Sequence, residues 1–505
     1  MTNTSQIPVR ILILIFLILN TLLLSSMELF PFVDLPNHLA EASIFKYYEP
    51  ANLIGQYYTP TPWYFPNTFH TVFCSLFPSV EWGNRIFHIL YIVALQLSVF
   101  LVIKELKGNP WYGLLAILFT YNYNVSFGFV GFAVSIPVLI FLFYTILLYI
   151  RTGKVYLTVV IASLLLLLFF MHAQNALMGL VMYGFMLLYH FRRSVKQLLI
   201  HAVTVPVPLV IIIFTWWYTR DEQQPGESTF DYLVDYYTSS YFTEFLMRAR
   251  IIVFDNFQLR DGLPGLVIAT FFFLCVLIPL VAYQPWKRKI SLSQFGPNLI
   301  YAGIFFLITF ACYLFVPDKL PGQTPLFQRF CTIAILSLII VGSILLRDYN
   351  RSWLKYFVIF TVVIYTVLWS EYIISFNREN RNFDPEFFEG VGPDATLAGL
   401  IYESRYRGRK VYIHFPNYYI VWKGGIAASK IIDYRFGVVR RTSTKDMLPY
   451  YHELIGDDYG YQPQYQNLDY LLVRGAAPEK PDSNLNSFVL EKRSGPWALY
   501  KNTRK

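Results

Sequence analysis

The run Ile11-Leu12-Ile13-Leu14-Ile15-Phe16-Leu17-Ile18-Leu19-Asn20-Thr21-Leu22-Leu23-Leu24 gives way, a few residues on, to Asp34-Leu35-Pro36-Asn37-His38. The first stretch has no charged residue, and with its flanks (10–27) it is long enough to cross a bilayer as a helix. The second puts a carboxyl group and an imidazole just beyond the helix end. A carboxylate at a membrane boundary is costly unless it is solvated, paired or in use. Ser25-Ser26-Met27-Glu28 is a weak cleavage site, and more apolar stretches follow. The run therefore reads as an uncleaved first span, not a signal peptide.

Working outward, apolar stretches recur at 83–103, 110–126, 128–150, 155–172, 175–191, 197–218, 263–284, 297–316, 330–346 and 354–375. The expectation is a polytopic α-helical membrane protein with about eleven transmembrane helices over residues 1–375. Composition agrees: of 505 residues, 55% are hydrophobic and 14% charged, and mean hydropathy is +0.43. A soluble domain carries roughly 25% charged residues. Aromatic residues make up 19%, and Tyr and Trp favour membrane interfaces.

The turns orient the bundle. With the N-terminus cytoplasmic, the inward turns hold Lys104 and Lys107, Arg151 and Lys154, then Arg192, Arg193 and Lys196. Lys287, Arg288 and Lys289 follow, and lastly Arg347, Arg351 and Lys355. The short outward turns near Asn122–Asn124 and His172–Asn175 have no Lys or Arg. This is the positive-inside pattern and orients a multi-pass protein; "outside" is then periplasm, cell surface or lumen, with the plasma (inner) membrane the expected location. Four segments then face outward: 28–82, 219–262, 317–329 and the tail, 376–505.

The net charge of +9 fits basic cytoplasmic turns meeting anionic membrane lipids. No basic run is interleaved with stacking aromatics, which argues against nucleic acid as a partner. Cys74, Cys275, Cys312 and Cys331 form no CxxC spacing, so neither a disulfide framework nor a zinc site is implied. A divalent metal is neither demanded nor excluded, and no cofactor motif is present; HExxH, GxSxG and a strand-borne Gly-rich phosphate loop are all missing.

The tail changes character at Arg378-Glu379 and reads as a small extracytoplasmic α/β domain, 376–505. A helix is expected over Asp394–Tyr406. Strands are expected at Lys410–Phe415, Leu468–Val473, Phe488–Glu491 and Trp497–Tyr500.

Charged residues are nearly missing from the middle of the spans, whereas transporters need them near the midplane. Polar groups gather at the outer helix ends, which points to chemistry at the outer interface on a substrate with a lipid tail. Asp34, flanked by Pro31 and Pro36, is the first candidate. It is either the cap of a helix starting at Pro36 or a general base acting on an acceptor hydroxyl. His38 lies one turn along and joins it as a candidate catalytic residue. Glu28 reads as interfacial and Glu41 as a solvated helix face.

Arg329, in Pro325-Leu326-Phe327-Gln328-Arg329-Phe330, suits a phosphate contact or ordinary snorkelling. Lys319 shares its loop, and Arg85 has similar standing at the start of the second span. His172, Gln174 and Asn175 cluster at the tip of the fifth and sixth spans, and His70 lies with Trp63 and Tyr64 in the first loop. Arg329, Lys319, Arg85, His172, Gln174 and His70 are the candidate substrate-binding residues. In the second loop, Phe230–Tyr237 and Phe242–Phe254, with Arg248 and Arg250, read as amphipathic helix on the membrane surface.

Phe32-Val33-Asp34-Leu35-Pro36-Asn37-His38-Leu39-Ala40 resembles the first-loop motif of uncharacterised bacterial members of the GT-C superfamily of membrane glycosyltransferases. The long 28–82 loop and the 376–505 tail also match that superfamily's architecture. The resemblance implies an inverting glycosyltransferase that moves a sugar from a polyprenyl-phosphate-linked donor to an extracytoplasmic glycan, lipid or protein acceptor. Asp34 would then be the base and Arg329 a phosphate contact. The chain departs from the superfamily in having no Asp-Glu or Asp-x-Asp pair in the first loop and no acid in the second outer turn. Two other readings stay open: a transporter or flippase of lipid-linked glycans, and a non-catalytic protein of envelope-glycan assembly.

Overall fold

The computed structural model describes residues 7–219, 229–251, 256, 263–283, 292–320, 324–428, 437–442, 466–475 and 487–504. The basic turn Lys287-Arg288-Lys289, the Phe254 end of the second-loop helix and the Arg250 side chain lie outside the described residues.

Seven described helices are long and apolar enough to cross a membrane, and up to eight if one bent pair counts as a single span. They are Ile7–Ser26, Val80–Glu105, Val130–Thr152, Pro264–Ala282, Gly296–Phe315, Phe327–Leu345 and Ser352–Glu379. The bent pair, Val195–Thr204 with Val207–Thr219, turns through 44° at Pro206. A proline lacks the N–H needed to carry the helix ladder through that point. This is a polytopic membrane protein by helix length and composition.

The remaining expected spans take other forms. Tyr156–Met171 is apolar but shorter, and Ala173–His190 follows it directly, with His172 extended between the two. At 110–126 the expected span is a 3-10 helix, Pro110–Phe119, followed by a short helix, Tyr123–Phe127. Asn109 caps the 3-10 helix by accepting from the Trp111 amide. The Asn122 side chain accepts from the amides of Asn124 and Val125, which ends the first piece and starts the second. A 3-10 helix rises about 2 Å per residue, so ten residues reach about 20 Å, short of a hydrocarbon core. Most of its side chains are buried, which makes it an interior element of the bundle.

The described chain divides into two compact units. One comprises 1–24, 88–125 and 130–370, and holds most of the apolar helices. The other joins 25–87, 126–129 and 371–505. The first loop and the tail therefore fall in one compact unit.

In that body a two-stranded ribbon pairs β1 (Tyr58–Pro60), from the first loop, with β4 (Val439–Arg441), from the tail, antiparallel. A five-stranded sheet runs in the order β3-β2-β5-β7-β6. Its strands are β2 (Thr396–Ile401), β3 (Ile426–Ala427), β5 (Tyr470–Arg474), β6 (Phe488–Ser494) and β7 (Trp497–Asn502). β2 lies parallel to β3 and β5, and β7 is antiparallel to β5 and β6.

The strands expected near 468, 488 and 497 are present. The helix expected over Asp394–Tyr406 is β2, whose six residues are all buried. A strand covered on both faces reads as a continuous apolar run, which periodicity cannot distinguish from a helix. The strand expected at Lys410–Phe415 is a turn leading into the 3-10 segment Phe415–Asn417, since Pro416 cannot serve a ladder.

Aromatic rings fill this core. Phe383 stacks on Trp497 at 4.3 Å, Tyr418 on Trp422 at 4.8 Å, and Phe415 on Trp497 at 5.6 Å. Part of the aromatic excess therefore builds the interior of this body.

Candidate functional site

Asp34 occupies the N-cap position of the helix Leu35–Lys46, but its side chain makes no capping hydrogen bond. Leu35 starts that helix, and Pro36, next in it, has no amide hydrogen to cap. Instead, Oδ1 of Asp34 lies 3.4 Å from Nε2 of His414. The His414 side chain is 1% exposed and the Asp34 side chain 15%, so the imidazole is enclosed and the carboxylate retains a small opening.

Two sets of contacts hold this pair. On the Asp34 side, its amide donates to the Phe127 carbonyl at 2.9 Å, and the Val33 amide to the Ser126 carbonyl at 3.3 Å. Gly128 makes that approach feasible. Its φ is +81°, and a Cβ there would stand 2.7 Å from the amide nitrogens of Asp34 and Leu35. Glycine tolerates this backbone and supplies the missing volume. Arg409 ties the same turn to the tail by donating to Ser126 Oγ at 2.7 Å.

On the His414 side, the 3-10 segment that follows is pressed onto β2. A Cβ at Gly399 would meet Pro416 Cγ at 2.2 Å, so the residue type at 399 sets how closely the turn can seat. Asn417, at the end of the segment, donates from its buried amide to Asn37 Oδ1 on the helix after Asp34. Ser43 on that helix bonds the Ile420 carbonyl at 3.4 Å. Trp422 donates to Glu81 at 2.7 Å.

The other predicted residues of this body form a neighbouring arrangement. The His38 imidazole lies 3.6 Å from Glu41 rather than against the Asp34 carboxylate. Glu41 is buried, contrary to the solvated face expected of it, and Gly437 leaves room for its carboxylate. The His38 ring meets His70 edge-on at 5.8 Å. His70 is buried between Asn84 (3.1 Å) and Cys74 (3.4 Å), and burial pushes the Cys74 thiol pKa upward. Arg85 lies over the Trp82 ring at 4.9 Å. Glu28 is exposed.

The remaining predicted residues belong to the helical unit. Arg329 is buried in the 3-10 turn Phe327–Phe330 and donates from Nε to the Pro325 carbonyl at 2.8 Å. Asn124 bonds its carbonyl at 2.9 Å. Its charge acts on His172, which packs edge-on against Phe132 at 4.8 Å. Gln174 lies in the first turn after His172, and Lys319 is exposed.

Sequence reasoning missed His414, Arg409, Asn417 and the Ser126–Gly128 turn. The signals were the glycine between Phe127 and Phe129 and the proline after Phe415. Two open clefts, of about 270 and 480 Å3, are lined by other residues: the first by Asp394, Asp469 and Lys501, the second by Arg151 and Arg192. Among the described residues, no three His, Cys, Asp or Glu side chains are grouped to hold a metal. Comparison with protein-family models and with curated proteins finds no match.

Proposed function

We propose that this chain is an inverting membrane glycosyltransferase of the GT-C type. It would have its N-terminus in the cytoplasm and its first loop and tail outside. It would take a sugar from a polyprenyl-phosphate-linked donor and pass it to an extracytoplasmic acceptor. The observation that carries this reading is Asp34. It is a carboxylate exempt from helix capping, backed by a buried imidazole and left partly open.

In the transfer, Asp34 accepts the proton of the acceptor hydroxyl as that oxygen attacks the anomeric carbon. The bond from that carbon to the phosphate oxygen breaks, and the lipid phosphate leaves. His414 would hold one carboxylate oxygen, directing the other toward the acceptor.

The test is mass spectrometry of envelope glycans and lipids from cells with the chain, without it, and with Asp34→Asn. The expected result is a product one sugar unit heavier only with the unaltered chain. Full product from a stably expressed Asp34→Asn chain would overturn the reading.

A further inference from the structure

Within the helical unit, the helices Val130–Thr152 and Ala173–His190 end beside a break in the helix Leu292–Phe315. The break is at Gly296, whose φ is +57°, and Pro297 restarts the helix. A cleft of about 480 Å3 opens here, with Arg151, Tyr189, His190, Arg192, Asn298 and Tyr301 on its walls.

The polar walls are held in place. Arg151 donates to the Glu105 carbonyl at 2.6 Å, to the Glu105 carboxylate, and to Asn298 Oδ1 at 2.9 Å. Asn298 is fixed in turn by donating to the Leu106 carbonyl at 3.1 Å. The buried Tyr301 hydroxyl lies 3.3 Å from His190 Nδ1. The charges of Arg151 and Arg192 both reach that hydroxyl.

Glu105 offsets the charge of Arg151, which leaves Arg192 as the surplus cation. Its guanidinium lies over the Tyr189 ring at 4.7 Å and donates once, to the Tyr189 carbonyl at 2.9 Å. A guanidinium has five N–H donors, and among the described residues Arg192 spends no others on a hydrogen bond. An anchored fork of donors at the edge of a cleft matches the oxygens of a phosphate.

The surroundings indicate where that phosphate comes from. Ile150 and Pro297 also line the cleft and give it an apolar side, on helices of a membrane protein. A ligand with a phosphate and acyl chains satisfies both the fork and the apolar flanks. We propose that this cleft binds the phosphate of an anionic membrane lipid, with Arg192 as its main contact.

The test is native mass spectrometry of the detergent-purified full chain with dioleoyl phosphatidylglycerol or dioleoyl phosphatidylcholine. The unaltered protein should retain the anionic lipid in preference to the zwitterionic one. Arg192→Gln should lower that preference about tenfold, the worth of one or two charge-assisted hydrogen bonds. Its melting point should be unchanged, because the side chain is exposed. Millimolar inorganic phosphate should leave the adduct in place. Equal preference in the variant would overturn the proposal. Complete displacement by inorganic phosphate would assign the cleft to a soluble anion and overturn the lipid assignment.

Discussion

His414 Nε2 stands 3.4 Å from Asp34 Oδ1, joining a residue of the tail to one just past the first apolar helix. The contact lies inside one compact body, in which tail and first loop also share a ribbon and the Trp422–Glu81 hydrogen bond. The tail is thus part of the body that presents the carboxylate. A buried imidazole beside a carboxylate limits the orientations that carboxylate can take.

Replacing Asp34 by Asn should separate activity from stability. Loss of a general base costs about 10²- to 10⁴-fold in rate. The side chain does not cap its helix, so the usual cost of about 1 kcal/mol for losing a cap should be missing. Sugar transfer in reconstituted membranes should fall into that range while the melting point of the purified protein holds. A large fall in the melting point would show that Asp34 is structural.

His414→Gln tests a positioning residue. Glutamine keeps a donor in the enclosed space but not the ring geometry. Turnover should fall about ten- to a hundredfold, the range seen when a group that orients a reactive ligand is lost. The Michaelis constant for the donor should hardly change, because His414 is almost wholly enclosed. A higher Michaelis constant with unchanged turnover would place His414 in substrate binding.

Much of the fold was legible. Long apolar runs announce membrane helices because only a helix satisfies its backbone in lipid within a single segment, and Ile7–Ser26 and Val130–Thr152 fall where expected. What failed was local. Thr396–Ile401 hides its strand character because both faces are covered, and Lys410–Phe415 mimics a strand because a turn can also bury a continuous run, here Val411 to Phe415. Asp34 could be picked from sequence as an acid next to a span. His414 could not, because its pairing depends on how the whole tail folds back, with Gly399 and Gly128 setting the close approaches.

Gly128→Ala should injure the site through the backbone. A left-handed conformation costs a non-glycine residue about 1–2 kcal/mol, and here the new Cβ also meets the Asp34 amide. Gly153→Ala is the control: its φ is +63°, with nothing within 4 Å of the added carbon. Both variants should melt slightly lower, and only Gly128→Ala should also lose transfer activity. Equal activity in the two would show that the 126–129 turn does not position Asp34.

Arg248 in the second loop should prove to be a structural cation, not a surface one. It is fully buried beneath the helix Tyr241–Ile251, with its guanidinium 4.0 Å from the centre of the Phe327 ring. It donates to the carbonyls of Leu314 (2.8 Å) and Val316, to the Tyr236 hydroxyl, and to Glu244 at 3.1 Å. Those carbonyls close the helix Leu292–Phe315, where the dipole favours positive charge and the last acceptors lack intrahelical partners. Arg248→Ala leaves them, and the Glu244 carboxylate, without the fork that joins them. The expected loss is roughly 3 kcal/mol, the cost of breaking a buried ion pair from one side. It would be read as a lower melting point in detergent. Arg248→Lys should recover only part of it, because an ammonium group places three donors at one point and cannot bridge two carbonyls, a hydroxyl and a carboxylate together. Full recovery with lysine would mean that charge alone, not the planar fork, secures this loop.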